Sequence, residues 1–269
     1  MLAVQVLLDR ARFSPGEIDG RGGQNTTRAS EAFARVKGIT VTDALAQSEP
    51  PTRAYVITAE DVAGPFEPAM PEDMMEKAKL LTLSYASLLE QLGERFHTAP
   101  ALLKRLNPSA RFTAGESITV PNVLPPAEPA PRADLVVTVS KSLSVLTVSD
   151  AAGAVLYHAP TTTGSEHDPL PLGNWVVTGI ARNPVFHYNP DLFWDADPAH
   201  AKTKLPPGPN GPVGTVWIDL DKPHYGIHGT PEPGTVGHTS SHGCVRLTNW
   251  DAAAVSNMVA KGTKVVFTE

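Results

Sequence analysis

The only cysteine of the chain, Cys244, stands in the run Ser240-Ser241-His242-Gly243-Cys244-Val245-Arg246-Leu247. A cysteine attacks an acyl carbon as the thiolate. A free thiol with a pKa of ~8.5 is only slightly ionised near neutrality, so it needs an adjacent base or cation. Bases are close in sequence: four of the nine histidines, His224, His228, His238 and His242, fall within the twenty residues before Cys244. Gly243 lets the backbone turn tightly ahead of the nucleophile and aim amide N–H groups at a developing oxyanion. If the segment is extended, Arg246 shares a face with Cys244, where a guanidinium suits a substrate carboxylate. The chemistry predicted is acyl transfer through a thioester.

Two other chemistries use the same residue types. His228, His238, His242 and Cys244 could supply four ligands to a tetrahedral zinc, but their spacing fits no familiar zinc pattern. A papain-like peptidase puts its cysteine at a helix N-terminus far upstream of its histidine; here the histidine comes first and the sequence before the cysteine reads as strand. No phosphate loop or dinucleotide glycine pattern is present, and no cofactor is implied.

The elements that must position these residues form a β-rich domain over 133–269. The runs 135–139, 144–148 and 154–157 are rich in β-branched residues, and Ser149-Asp150 and Gly153 separate them. Trp175-Val176-Val177-Thr178 and Thr215-Val216-Trp217-Ile218 add strands, and Asp221-Lys222-Pro223 reads as a hairpin into Tyr225-Gly226-Ile227-His228. One helix follows the cysteine. Thr248 and Asp251 fit a capping box, Val255, Met258 and Val259 face one way, and Gly262 is expected to end it.

With 269 residues the chain is long enough for more than one domain. It carries 22 Lys+Arg against 28 Asp+Glu, a formal net charge of −6, which gives no basic stripe for a nucleic acid. No run approaches the ~18 apolar residues that span a bilayer. A single cysteine excludes an internal disulfide. The first residues lack the basic start of a signal peptide, and their apolar stretch ends at Asp9; for an exported protein, Met1 is therefore expected not to be the native start.

The 26 prolines cluster in connectors. Pro125-Pro126-Ala127-Glu128-Pro129-Ala130-Pro131 favours polyproline II, and 124–132 is read as the linker that divides the chain. Ahead of it, residues 1–40 read as a small helical module. Val4, Leu7 and Leu8 share a face. A turn runs from Ser14 to Gly20, and a helix capped by Asn25 or Thr26 carries Ala29, Phe33 and Val36. Residues 53–123 read as strand, helix, helix, strand. Tyr55–Thr58 is the first strand and Ala63–Pro71 an insert or loop. Tyr85, Leu88, Leu89, Leu92 and Phe96 repeat at helical spacing. Thr98 is read as the cap of a second helix with Pro100 in its first turn, and Ser117–Val120 is the last strand.

Three family resemblances follow. Asp19-Gly20, Gly23, Thr26, Ala32 and Phe33 resemble the pattern of three-helix peptidoglycan-binding domains, although Phe33-Ala34 stands where that family has Phe-Gln. Phe96 to Asn107, Gly115-Glu116 and Val120-Pro121-Asn122 resemble a degenerate LysM domain, from which the insert after the first strand departs. The strongest likeness joins His228-Gly229-Thr230 to Ser241-His242-Gly243-Cys244-Val245-Arg246-Leu247. These residues are similar to the active-site motif of L,D-transpeptidases with a YkuD-type catalytic domain. The likeness extends back through Thr163-Gly164, Pro169 to Gly173 and Gly211 to Thr215.

These resemblances imply a multidomain α+β chain. A helical module and a LysM-like βααβ module precede a mainly β, β-sandwich-like catalytic domain. Cys244 is then the nucleophile and His228 the general base. The Gly229 carbonyl orients His228, and His242 and Gly243 line the oxyanion hole. Ser241, Thr230 and Arg246 are on the substrate side, Arg246 by the carboxylate argument above. His224 and His238 have no implied role and read as polar surface residues. The implied activity is 3→3 cross-linking of peptidoglycan tetrapeptide stems with release of D-Ala, and inactivation by carbapenems. Water as acceptor would give a carboxypeptidase, an envelope-protein amine would give protein anchoring, and a dead site would leave a wall-binding protein. The implied partners are peptidoglycan stems and glycan strands in the periplasm or cell wall.

Overall fold

The computed structural model describes residues 1–123 and 130–269, so most of the linker expected at 124–132 lies outside the described residues. The first part holds α1 (Leu2–Arg10), α2 (Gln24–Lys37), α3 (Val41–Leu45), β1 (Thr52–Val56), α4 (Ala59–Ala63), α5 (Met74–Lys77), α6 (Leu88–Arg95), α7 (Pro100–Leu106) and β2 (Ser117–Pro121). The second holds β3 (Val136–Ser140), β4 (Val145–Ser149), β5 (Val155–Pro160), β6 (Gly173–Arg182), β7 (Phe186–Tyr188), β8 (Thr203–Leu205), β9 (Val216–Leu220), β10 (Gly226–His228), β11 (Val245–Arg246), α8 (Asn249–Met258) and β12 (Lys264–Thr268).

The α+β class and the β-rich second part agree with the sequence; several element ends do not. β1 begins three residues before Tyr55 and pairs antiparallel with β2, Tyr55 opposite Ile118. The N-cap of α2 is Gly23, not Asn25 or Thr26. Thr98 does not cap α7, which starts with Pro100 after Ala99; its hydroxyl donates instead to the carbonyl of Ile18 at 2.6 Å. In both cases a tertiary partner took the polar side chain away from the local cap. The helix after Cys244 is capped by Thr248 as expected, but it stops at Met258, four residues before Gly262.

The second part is built on eight strands in the order β11-β10-β9-β6-β12-β3-β4-β5. β6 is the hinge of this arrangement. Its first residues pair with β12 and the rest with β9, with a register shift between Val177 and Gly179. A bulge bends a strand and increases its twist, which lets one strand serve both halves of a curled sheet. The inward positions of both halves share one core: Val137, Val139, Leu146 and Val148 from one, Ile218, Leu220, Ile227 and Val245 from the other, with Ala252, Val255 and Met258 of α8. Such burial contributes ~1.5–3 kcal/mol per large side chain.

The helical region is docked onto this core. Val6 and Ile18 pack with Leu92, Phe96, Leu102, Leu103, Ile118 and Val120. Leu8, Phe13, Ala29 and Phe33 form a second cluster that reaches Val155 of β5. The Ser14 N–H donates to the His158 carbonyl at 2.7 Å. The Ser14 hydroxyl donates to Asp251, which also accepts from Tyr157 and Thr248. His97 lies flat on Trp250, ring centroids 5.1 Å apart.

Candidate active site

β10 and β11 are parallel neighbours, with Ile227 opposite Val245 and His228 opposite Arg246. Paired residues share a face, so His228 and Arg246 point to one side of the sheet, and Cys244 sits in the bend immediately before β11. β10 is held between β9 and β11, which buries His228 to 4% exposure. Its Nδ1 donates to the Gly229 carbonyl at 2.7 Å. That tautomer leaves Nε2 with a free lone pair, the form a general base requires. Trp217 is opposite His228 in β9, and the two rings stack at 5.5 Å.

Asn249 packs against Gly229, the residue whose carbonyl holds His228. Its Oδ1 accepts from the Thr215 N–H at 3.1 Å, and its Nδ2 reaches Glu94 and the Pro209 carbonyl. A Cβ on Gly229 would lie 2.1 Å from that Oδ1, so only glycine fits where the backbone turns to offer its carbonyl to His228.

Cys244 follows a backbone bend at Gly243, whose φ is +103°. A side chain there would be strained, and its Cβ would meet the Tyr225 ring at 2.8 Å. Ser241 is buried and its hydroxyl donates to the Cys244 carbonyl at 2.6 Å. Its backbone is pinned on both sides, N–H to the Thr163 carbonyl and carbonyl to the Ser165 N–H. The Cys244 thiol donates to the His224 carbonyl at 3.5 Å. His224, in a left-handed turn with φ +68°, thus meets the site through its backbone, which the sequence reading missed.

Burial pushes the Cys244 thiol above its ordinary value, against smaller opposite effects of a Gly226 hydrogen bond and the Arg246 charge. Burial, with Arg246 adding to it, lowers His228 to about 4. Both shifts favour the uncharged partners. The uncharged forms are a thiol and a neutral imidazole, where the motif alone suggests a thiolate. Arg246 is itself lowered by burial and held up by Cys244, Glu232 and Asp195.

The remaining predicted positions divide. His242 Nε2 meets Asp195 Oδ1 at 2.8 Å, and its ring lies against Phe193 and Trp194. Thr230 is buried and its hydroxyl accepts from the Glu232 N–H at 3.3 Å. His238 is at the seam with the helical region, 3.4 Å from Asn25. Trp217, Asn249 and Asp195 were not foreseen. Asn249 had a trace in its position beside a helix cap; Asp195, 47 residues from His242, had none. Among the described residues no group of three or more His, Cys, Asp or Glu could hold a metal ion. No helix among them is long and apolar enough to cross a membrane.

Comparison with known proteins adds a family to this geometry. Residues 134–267 match the YkuD L,D-transpeptidase catalytic domain. The putative L,D-transpeptidase YkuD of Bacillus subtilis is 31% identical over 179 residues, covering 66% of this chain and 91% of that protein. Its counterpart in Bacillus licheniformis is 28% identical over 183 residues, with 67% and 93% covered. Both alignments are longer than the stretch from residue 134 to the chain's end, so the likeness runs back into the helical region. Among solved structures, an L,D-transpeptidase from Mycobacterium smegmatis superposes with a TM-score of 0.42 at 21% identity, over 64% of this chain and 86% of that one.

Proposed function

The chain belongs to the YkuD family of L,D-transpeptidases, and from that premise we propose that it cross-links peptidoglycan stems by cysteine acyl transfer. The observation that carries the reading is the β10–β11 register, which sets a His228 of fixed tautomer opposite Arg246 on the strand that begins one residue after Cys244. In the first half-reaction Cys244 Sγ attacks the carbonyl carbon of the L-centre at stem position three while His228 Nε2 takes the thiol proton. The amide C–N bond to D-Ala breaks, His228 returns the proton to the leaving amine, and a thioester remains on Cys244. In the second, the side-chain amine of another stem attacks that carbon and gives a proton to His228. Sγ leaves and recovers the proton, and the product is a 3→3 cross-link.

The backbone around Gly243 and Cys244, with His242, receives the oxyanion of both tetrahedral intermediates. Ser241 holds the Cys244 carbonyl and thereby the bend. Arg246 binds a substrate carboxylate, and Thr230 shapes the turn beside it. Water or an envelope-protein amine would use the same acyl-enzyme, giving a carboxypeptidase or an anchoring enzyme. The stem amine is favoured because transpeptidation is the activity in the relatives' names. A cell-wall substrate implies an envelope location, with the helical and LysM-like modules as wall-targeting elements. Carbapenems are expected to acylate Cys244.

The test is mass spectrometry of products from purified disaccharide-tetrapeptide, with Cys244→Ala alongside. A cross-linked dimer lacking one D-Ala supports the proposal. Tripeptide alone moves it to a carboxypeptidase. No Cys244-dependent product favours a wall-binding protein with an idle site.

A further inference from the structure

The segment between α4 and α6, which departs from the LysM pattern, is built into the catalytic domain. Residues 186–205 form a flap. β7 and β8 are its antiparallel stem, Tyr188 opposite Thr203. Its tip brings Phe193, Trp194 and Asp195 onto His242, with ring centroids at 5.3 Å and 6.0 Å and the carboxylate at 2.8 Å. A three-residue-per-strand hairpin cannot hold such a tip by itself.

What holds it comes from the insert. Leu83 is fully buried with Tyr188 and Leu205 of the flap, and Met70, Met74, Leu80, Phe186 and Phe193 pack around them. The Leu83 N–H donates to the Pro207 carbonyl at 3.0 Å, and the Leu83 carbonyl accepts from the Asn210 N–H at 2.9 Å. The fit is tight: a Cβ on Gly208, at φ +153°, would lie 2.1 Å from the Leu83 oxygen. A polar chain runs alongside. Asp73 Oδ2 is 2.8 Å from His200 Nε2, and His200 Nδ1 is 2.9 Å from the Tyr188 hydroxyl. Tyr188 then packs on Phe193 at 5.6 Å, and Phe193 on His242. If His200 Nε2–H donates to Asp73, Nδ1 is free to accept from Tyr188, so one arrangement satisfies all three groups.

We propose that Asp73 is a positioning residue for acyl transfer: through His200 and Tyr188 it fixes the flap that sets His242 beside Cys244. The proposal rests on the reading of Cys244 and His242 as the acyl-transfer site. It gives the insert a task in catalysis that is separate from any wall binding by its module.

Asp73 has a second task, since its Oδ1 caps α5 by accepting from the Met75 and Glu76 N–H groups. Two variants of the full chain separate the two. Asp73→Ser keeps a capping oxygen but is too short for His200; Asp73→Asn keeps the cap through its Oδ1 and the reach through its Nδ2, which donates to Nε2 once His200 takes the tautomer whose Nδ1–H donates to the Tyr188 hydroxyl. Three readouts are needed: D-Ala release as kcat and KM, alkylation of Cys244 by iodoacetamide, and hydrogen exchange over 186–205. Asp73→Ser is expected to lower kcat/KM by about tenfold, because a misplaced catalytic group costs rate steeply. It is also expected to speed alkylation and exchange in the flap without shifting the thermal midpoint, and Asp73→Asn is expected to restore all three. Unchanged flap exchange in Asp73→Ser overturns the brace. Faster exchange with unchanged kcat, KM and alkylation overturns the catalytic task. Equal loss in Asn and Ser also overturns the proposal. If the unaltered enzyme releases no D-Ala, the functional reading fails, and alkylation and exchange still decide the brace.

Discussion

The pH dependence of the first half-reaction is the sharpest test of the resting state inferred here. Burial and Arg246 hold His228 at about 4, against an ordinary value of 6.5. The gap of about 2.5 units corresponds to about 3 kcal/mol against forming the imidazolium. At pH 5.5 an ordinary histidine would be mostly protonated, whereas His228 would be almost wholly a free base, roughly a tenfold difference in competent enzyme. The acid limb of kcat/KM for D-Ala release is therefore expected near pH 4 and not near 6.5. The same uncharged pair predicts that iodoacetamide alkylation of Cys244 climbs with pH through 8 with no plateau on the acid side, because burial has raised the thiol. The stability sign must be followed in parallel. Unfolded, His228 binds a proton below 6.5; folded, only below about 4. Its contribution is complete above pH 6.5 and is lost as pH falls toward 4, and buried His158, also at about 4, acts in the same direction. Circular dichroism at each pH keeps unfolding apart from titration. A limb at 6.5 in folded protein, or an acid plateau of alkylation, would refute the neutral pair and restore a thiolate–imidazolium one.

Three further outcomes are expected. Gly243→Ala forces a side chain into a left-handed bend and into Tyr225, and should cut kcat by more than about tenfold while circular dichroism stays native. Asp251→Ala strips the shared acceptor from Ser14, Tyr157 and Thr248 at the seam with the helical region, which should cost about 2–4 kcal/mol in denaturant titration. Burial holds that carboxyl at about 6, so its contribution falls as pH rises from 3.8 to 6, and Asp251→Asn should remove this part of the pH dependence. Arg246→Gln should raise KM more than it lowers kcat if the guanidinium binds a ground-state carboxylate; a loss in kcat alone would argue for an oxyanion role.

The motif that points to the family was written locally and was therefore legible. Ser241 to Arg246 is one run, and a glycine before a lone cysteine states the bend whatever the rest of the chain does. The strands of the second part were legible as well, since alternating β-branched runs fold the same way in many contexts, and Thr248 needs only Asp251 to cap α8. Caps failed where a distant group competed: Thr98 serves Ile18, and Asn25 reaches the Val236 carbonyl. Periodicity describes a chain against itself and carries no record of such partners.

The sequence by itself therefore supplied the nucleophile and base that we propose, and determined the β-rich scaffold of the second part and the helices ahead of it. Only the tertiary structure shifts both groups toward their uncharged forms, because the fall of His228 and the rise of Cys244 come from burial that no spacing encodes. It alone turned the insert around Leu83 from an unexplained departure into the support of the flap over His242. Residue types fix which atoms can react. Desolvation and long-range packing fix when they are ready, and both exist only once segments more than a hundred residues apart have closed on one another.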